Sequence, residues 1–315
     1  MSEIFYGSEV YLSPSPGPVV TVGNFDGVHR GHRALVERVR RWAFDLGRPS
    51  LVYTFDPLPA EVLGPGPNSE RRFRIQTTAQ RLEALASLEV DHIVLEPFDL
   101  PFAAGSPEWF VGEILERRLG AAAVVVGWDF RFGEGRRGSF QDMAAVATMP
   151  VESFGPLKSG DEVVSSSRIR SHVAAGDVAR AADLLGRPHR LVGRVVIGDA
   201  RARQLGFPTA NLALDTELVP PPGVYVVRAA LQQGKPYNAV MNIGVRPTFK
   251  AGYSVEVHLL DAPEGLDIYG ETLHVDVVNR IRDESGFSGV EALVAQIRQD
   301  IAVARGMLNL LSGPG

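Results

Sequence analysis

The apolar positions of this chain follow two rhythms. Up to about residue 155, short β-branched or continuous apolar runs alternate with stretches whose apolar residues recur every three or four positions. These are the marks of buried strands and of amphipathic helices. Val19–Val22 is the first run. It gives way through glycine-rich backbone to a helix with Leu35, Val36, Val39, Trp42, Ala43 and Leu46 on one face and Gly47 as a stop. Ser50–Phe55 reads as a second strand. Thr77-x-x-Gln80 has the form of a capping box before a helix carrying Leu82, Leu85 and Leu88. Asp91–Leu95 reads as a third strand. Ser106-Pro107 suits the cap and first turn of a helix reaching about Leu119. Ala121–Val126 is a continuous apolar run, as a strand buried on both faces requires. Strands alternating with helices predict an α/β fold with a doubly wound parallel sheet. Such sheets bind ligands outside the carboxyl ends of their strands.

Two short helices, Ser166–Ala175 and Val178–Leu185, follow, with Gly176 ending the first and Asp177 capping the second. Gly186-Arg187-Pro188 then reads as a boundary, dividing the chain into domains over 1–186 and 187–315. Beyond it the rhythm is that of strands: Leu191–Ile197, Val224–Leu231, Tyr237–Ile243, Ser254–Leu260 and Leu273–Val278. Turn signals at Pro220–Gly223 and Gly234-Lys235 separate some of them. Evenly spaced short strands predict a small antiparallel β-barrel, with a sandwich as the alternative. A last helix, opened by Ser288-x-x-Glu291, presents Leu293, Ile297, Ile301 and Leu308 for packing.

Composition narrows this picture. The 315 residues are 45% apolar and 22% charged, an ordinary globular balance. No apolar run is long enough to span a membrane, and the N-terminus lacks the basic and apolar stretches of a signal peptide. Zero cysteines exclude disulfides and thiolate metal sites, and they fit a cytoplasmic location. A net charge of −5 gives no electrostatic reason to expect nucleic acid as a partner.

The chemistry concentrates where the first strand meets the first helix. Gly23, Asn24, Phe25, Asp26 and Gly27 lead into His29-Arg30-Gly31-His32. Backbone N–H groups of a glycine-rich turn and the positive end of a helix form an anion site. Histidines three apart share a helix face, where both can touch one phosphoryl group during its transfer. Taken alone, His29 and His32 could equally be an ordinary loop residue and helix starter. The strand-to-helix setting is what gives the pattern its meaning. His-x-Gly-His in this setting resembles the nucleotidylyltransferase superfamily.

Further motifs sharpen the likeness. They are Gly127-Trp128-Asp129-Phe130-Arg131-Phe132-Gly133, Ser165–Arg170, Leu205–Asn211, Asn242–Phe249, Glu256–Asp261 and Arg282-Asp283-Glu284-x-x-Phe287. With them the chain resembles the bacterial bifunctional riboflavin kinase/FAD synthetase family, in the family's motif order, from about residue 18 to 305. The resemblance implies two reactions using ATP, Mg²⁺, riboflavin and FMN. In the first module FMN would attack the α-phosphate of ATP, giving FAD and pyrophosphate. It implies that His29 and His32 contact the ATP phosphates and that Gly23, Asn24, Phe25, Asp26 and Gly31 line the site. Asp129 then belongs to a second nucleotide-contacting motif, and Ser166, Ser167 and Arg168 close over the phosphates. In the second module the riboflavin 5′-hydroxyl would attack the γ-phosphate of ATP. There Glu256 matches the general base, Thr209 and Asn211 the Mg²⁺ and phosphate ligands, Gly198 and Arg203 a phosphate flap, and Arg282 and Phe287 the flavin side. Spacing alone favours an exposed strand carboxylate at Glu256, and it equally allows Thr209 and Asn211 as turn residues, Ser165–Ser167 as a helix cap and Phe287 as a packing staple.

Two departures stand out. The family's Pro-His-Pro is Pro57-Leu58-Pro59 here, and its Gly-x-Gly-x-Gly-Arg flap is Gly198-Asp199-Ala200-Arg201-Ala202-Arg203. They raise the alternatives that only one activity is retained, or that the protein binds flavin without catalysis. A class I aminoacyl-tRNA synthetase relative would need a lysine-rich second signature, and Ser165–Arg170 has no lysine.

Overall fold

The computed structural model describes residues 2–64, 74–198, 205–216, 218–232, 234–245, 253–263 and 265–312. Their contacts form two compact units. One comprises 1–73 with 78–166, and the other 74–77 with 167–315.

The first unit is built on a six-stranded parallel sheet. Its strands are β1 (Glu3–Tyr6), β2 (Val19–Val22), β3 (Ser50–Asp56), β4 (His92–Pro97), β5 (Ala123–Gly127) and β6 (Val151–Phe154). They lie in the order β1-β4-β3-β2-β5-β6. Alternate residues of the central strands enter different cores. Val20, Val22, Leu51, Tyr53, Val94, Val124 and Val126 face one layer. Val19, Val52, Ile93, Leu95 and Val125 face the other, with Leu35, Val36 and Val39 of the helix Arg30–Leu46. Burial on both faces is the reason these strands read as unbroken apolar runs. Strands β3 and β4 extend from one side of β2, and β5 and β6 from the other. The strand order therefore reverses between β2 and β5, and their carboxyl ends flank the crevice where doubly wound sheets take ligands.

Most expected elements are present, with informative differences. Ser106 Oγ accepts the Trp109 N–H, as a cap should. The helix over Pro107–Trp109 then widens to a π-helix over Phe110–Arg118, in which Leu119 N–H reaches the Ile114 carbonyl five residues back. This wide segment packs Phe110, Val111, Ile114 and Leu115 on the sheet. Strands β1 and β6 and the helix Phe140–Val146 carry too few core positions for their period to show in sequence. A two-stranded ribbon, β7 (Lys158–Ser159) and β8 (Glu162–Val163), precedes the helix Ser166–Ala174.

In the second unit a closed barrel runs β10-β13-β12-β11-β14-β9, with every pairing antiparallel. The strands are β9 (His189–Val196), β10 (Ala210–Leu214), β11 (Gly223–Leu231), β12 (Tyr237–Val245), β13 (Tyr253–Leu259) and β14 (Thr272–Asp283). Closure settles the choice between barrel and sandwich. Strand β10 has no counterpart among the expected strands, because its five residues offer only Ala210 and Leu212 to the core. The interior holds Tyr225, Val227, Met241, Ile243, Val255, Val257, Val275 and Val277. The helix Val290–Ser312 covers part of the outer face, where Ala304 and Leu308 meet Val226. The helix Val178–Leu185 also belongs to this unit, its Val178 joining the barrel core.

His189, at the start of β9, is buried, and its Nε2 bonds the Leu218 carbonyl at 2.8 Å. Burial holds its pKa down to about 4, against the ordinary value of 6.5. The fold thus favours the neutral ring. This contribution is complete above pH 6.5 and is lost as pH falls toward 4. The thermal midpoint of the barrel should drop between pH 7 and pH 4. The variant His189→Gln, which keeps a donor but cannot titrate, should drop less over the same interval; equal drops would show that another group sets the dependence.

Candidate functional site

Three residues after β2 the backbone takes conformations that L side chains rarely adopt: Phe25 has φ +49° and Val28 φ +38°, with Gly27 at +88° between them. A β-branched residue at positive φ is strained and is held there only by its surroundings. Phe25, Asp26 and Val28 are all buried. Positive φ at Phe25 folds its ring back over Gly23, where a Cβ would lie 3.1 Å from Phe25 Cε2. The other side of the ring meets His32, with centroids 5.0 Å apart. His32 in turn stacks on His29, 3.5 Å away and nearly parallel. Beyond His29 lies Gly31, where a Cβ would come within 3.2 Å of His29 Cε1 and Nδ1. Three rings are thus layered between two glycines, and this explains why the motif carries glycine at both places.

The stack also settles tautomers. His29 is the N-cap of Arg30–Leu46, its Nδ1 accepting the His32 N–H at 3.2 Å. A neutral ring that accepts at Nδ1 carries its proton on Nε2, and so presents a donor there. Burial first, and His29 second, hold the His32 pKa well below 6.5. Some of the His32 surface remains exposed, yet its Nδ1 is buried and has no hydrogen-bond partner among the described residues. An uncharged His32 beside a helix N-terminus offers direction without the cost of burying a charge.

The neighbouring strand ends complete this face. Thr21 pairs with Val125, which places Gly23–Asp26 and Gly127-Trp128-Asp129 at adjacent carboxyl ends. Asp129 is exposed, with its Oδ1 3.5 Å from where a Gly127 Cβ would stand. Ser166, at the start of its helix, donates its hydroxyl to the Asp26 carbonyl at 2.8 Å. Ser167 and Arg168 follow on exposed positions of the same helix start. The structure therefore joins Gly23–Asp26, His29, Gly31, His32 and Ser166 directly, and sets Asp129 at the next strand end. Leu58 is buried, and its N–H bonds Glu61 Oε2 at 2.6 Å.

On the barrel, register assembles residues far apart in sequence. Glu256 pairs with Asn211 on one side and Asn242 on the other. Asn242 also pairs with Val224, which pairs with Arg282. Paired residues share a face. Their neighbours Val255, Val257, Met241 and Ile243 point into the core, so this row lies on the outer face. Thr209 Oγ and Ser254 Oγ each stand 3.4 Å from a Glu256 carboxylate oxygen. Gly198 lies against Asn211, so close that a Cβ would be 2.2 Å from the amide nitrogen. Arg282 is engaged elsewhere: it forms an ion pair with buried Asp300 at 2.8 Å and stands 5.7 Å above the Phe287 ring. Arg282 and Phe287 thus sit together beside the last helix. Arg203, with Ala200, Arg201 and Ala202, lies outside the described residues.

Thr209, Asn211 and Glu256 supply hard oxygen atoms, the donor set that Mg²⁺ accepts while taking its remaining ligands from water and phosphate. Among the described residues no cluster of three or more His, Asp or Glu could enclose a metal by itself. Sequence reasoning missed four residues at these sites. Arg81 is 2% exposed and bonds the Asn24 and Phe55 carbonyls. His258 Nδ1 bonds the Pro208 carbonyl at 2.8 Å. Asn242 flanks Glu256, and Asp300 holds Arg282. Asn242 and His258 stood inside recognised motifs; nothing in the pattern marked a buried arginine or aspartate on an amphipathic helix.

The glycine at 31 gives a direct test of the layered rings. Alanine is normally the better helix former by about 1 kcal/mol. Gly31→Ala should nevertheless leave the thermal midpoint unchanged or lower it, because its methyl displaces the His29 cap, a loss of about 1 kcal/mol. A rise matching the full propensity gain would mean that the ring is not held against residue 31.

Comparison with known proteins agrees with this layout. The sequence model of the FAD synthetase family matches residues 13–168, and that of riboflavin kinase residues 185–308. Among curated relatives, the bifunctional riboflavin kinase/FMN adenylyltransferase of Escherichia coli K12 is 38% identical, with 95% of each chain covered. The proteins of that name from Pseudomonas fluorescens and Bacillus subtilis are 39% and 36% identical, over 92% and 90% of this chain. A crystal structure described as a macrolide-efflux protein from Streptococcus pneumoniae superposes with a TM-score of 0.86 at 32% identity, covering 96% of this chain and 98% of that one. Two family matches in order and identity across nearly the whole length give one conclusion: the chain belongs to the bifunctional riboflavin kinase/FMN adenylyltransferase family.

Proposed function

We propose that this chain phosphorylates riboflavin to FMN and adenylylates FMN to FAD, each with ATP, the second module supplying the first. The adenylyltransferase module is assigned to residues 1–186 and the kinase to 187–315. The observation that carries the first assignment is the layered His29–His32 pair at the strand-order reversal. In this reading a phosphate oxygen of FMN attacks the α-phosphorus of ATP and the bond to the β-phosphate breaks, releasing pyrophosphate. Negative charge builds on the transferred group. His29, donating through Nε2, and His32 stabilise it, with backbone N–H groups of Gly23–Asp26 and the helix N-terminus. Asp129 orients the nucleotide, and Ser166, Ser167 and Arg168 hold the phosphates, arginine by paired planar donors.

For the kinase, support comes from the row Asn211–Glu256–Asn242. Glu256 accepts the proton of the riboflavin 5′-hydroxyl as its oxygen attacks the γ-phosphorus, and ADP leaves. Thr209 and Asn211 would hold Mg²⁺, which neutralises phosphate charge when bound. Gly198 gives the Asn211 amide room to turn toward that site. Arg203 belongs to the flap over the phosphates, and Arg282 and Phe287 to the flavin side. The partners are small molecules, with no nucleic acid or membrane among them, and the cytoplasm is the proposed location. No helix among the described residues is long and apolar enough to cross a membrane.

Chromatography of the products tests this reading. Wild-type protein with riboflavin, ATP and Mg²⁺ should give FMN and then FAD. His29→Ala should lower FAD formation by about 10²–10³-fold, the usual cost of one transition-state donor, and leave FMN formation intact. Glu256→Ala should lower FMN formation by at least about 10²-fold, while FAD still forms from supplied FMN. Loss of both activities in either folded variant would refute the division of labour. Absence of FAD from wild type given FMN would make the first module inactive.

A further inference from the structure

Beneath the glycine-rich loop lies a charged side chain that the proposed chemistry does not use. Arg81 comes from the helix Thr78–Ala86 and is only 2% exposed. Its Nη1 donates to the Asn24 carbonyl at 2.9 Å and its Nη2 to the Phe55 carbonyl at 2.7 Å. Asp56 Oδ1 lies 3.6 Å from Nη2 and itself accepts the Thr78 hydroxyl at 2.9 Å. Thr54, fully buried, brings a second donor to the Asn24 carbonyl at 3.3 Å. One fork of donors thus joins the loop that leaves β2 to the end of β3.

Burying a guanidinium costs several kcal/mol unless its hydrogen bonds are well met. A hydrophobic residue could fill this position between helix and sheet without that penalty. What it could not do is orient a peptide. In a trans peptide the carbonyl and the following N–H point in opposite directions. Drawing the Asn24 carbonyl down onto Arg81 and Thr54 therefore turns the Phe25 N–H up, away from the core. The same restraint holds Phe25 at its positive φ and its ring on His32.

We infer that Arg81 is a positioning residue for adenylyl transfer: it fixes the Asn24–Phe25 peptide so that the Phe25 N–H and the ring stack meet the ATP phosphates in their working geometry. This inference rests on the proposed adenylyltransferase reading. Lysine would keep the charge but reach one carbonyl in place of two.

The test uses full-length protein and both reactions. In Arg81→Lys the KM for ATP in FAD formation should rise about tenfold and kcat fall about tenfold, as small misplacements near a reacting group do. The KM for FMN and the rate of FMN formation from riboflavin should stay within about twofold of wild type. Thr54→Val, which removes the second donor without changing shape, should shift the KM for ATP in the same direction by about threefold. It provides the reading if Arg81→Lys does not fold. Unchanged ATP parameters in the folded variants would overturn the inference, and so would a parallel rise in both KM values with a lower thermal midpoint, the mark of general loosening. Wild-type protein that makes no FAD would refute the adenylyltransferase reading itself; wild-type protein that makes FAD no better than Arg81→Lys would refute only the role of Arg81.

Discussion

His29 stacks on His32, the Phe25 ring leans on His32 at a tilt of 58°, and the group sits between Gly23 and Gly31; the N-terminal site depends on that contact. Each layer limits the next. A Cβ at Gly23 would crowd the Phe25 ring at 3.1 Å; the ring packs on His32, and His32 on His29. His29 spends one nitrogen capping the helix, which fixes where the other nitrogen carries its proton. Backbone strain at Phe25 and Val28 persists because both side chains are buried in the packed layer under the sheet. A local departure from regular structure is thus held in place by the regular structure around it.

The barrel reaches a comparable arrangement by different means. No strained loop is needed to bring Asn211, Glu256 and Asn242 together, because antiparallel register does it. The carboxylate at 256 faces outward because Val255 and Val257 face inward. At the far end of the row, Arg282 is held by Asp300, and Asp300 also accepts from Gln296 of the same helix. The C-terminal helix therefore both shields an apolar patch of the barrel and anchors an arginine beside Phe287.

Much of this was legible in the residue pattern, and the gaps have physical causes. Strands β2, β3, β4 and β5 could be read because burial on both faces makes them uninterrupted apolar runs. Strands β1 and β10 could not, since four- or five-residue strands with one or two core positions look like loops. The expected helix to Leu119 is there, but sequence does not record that its hydrogen bonds skip to the fifth residue. The histidine motif was legible because its elements are contiguous. The Asn211–Glu256–Asn242 row was not, because spacing on one strand says nothing about which residue stands opposite on the next. Arg81 was hidden for another reason: a charged residue beside Leu82 is assigned to solvent by default, and only the positions of two carbonyls show why it is inside.

The contrast between a contiguous site and an assembled one carries into the order in which the molecule takes shape. The ring stack itself is made within residues 23 to 32, and the strand end beside it is brought in by the pairing of Thr21 with Val125. The carboxylate row exists only once β10 lies between β9 and β13, and the barrel closes only when β14 meets β9, some eighty residues away along the chain. Closing long loops carries an entropic cost before any contact repays it, and it slows folding. On a growing chain the first site can therefore be in place while the second is still being synthesised. The outer-face row needs β10, β12 and β13 in register, and all three follow the elements of the first site along the chain.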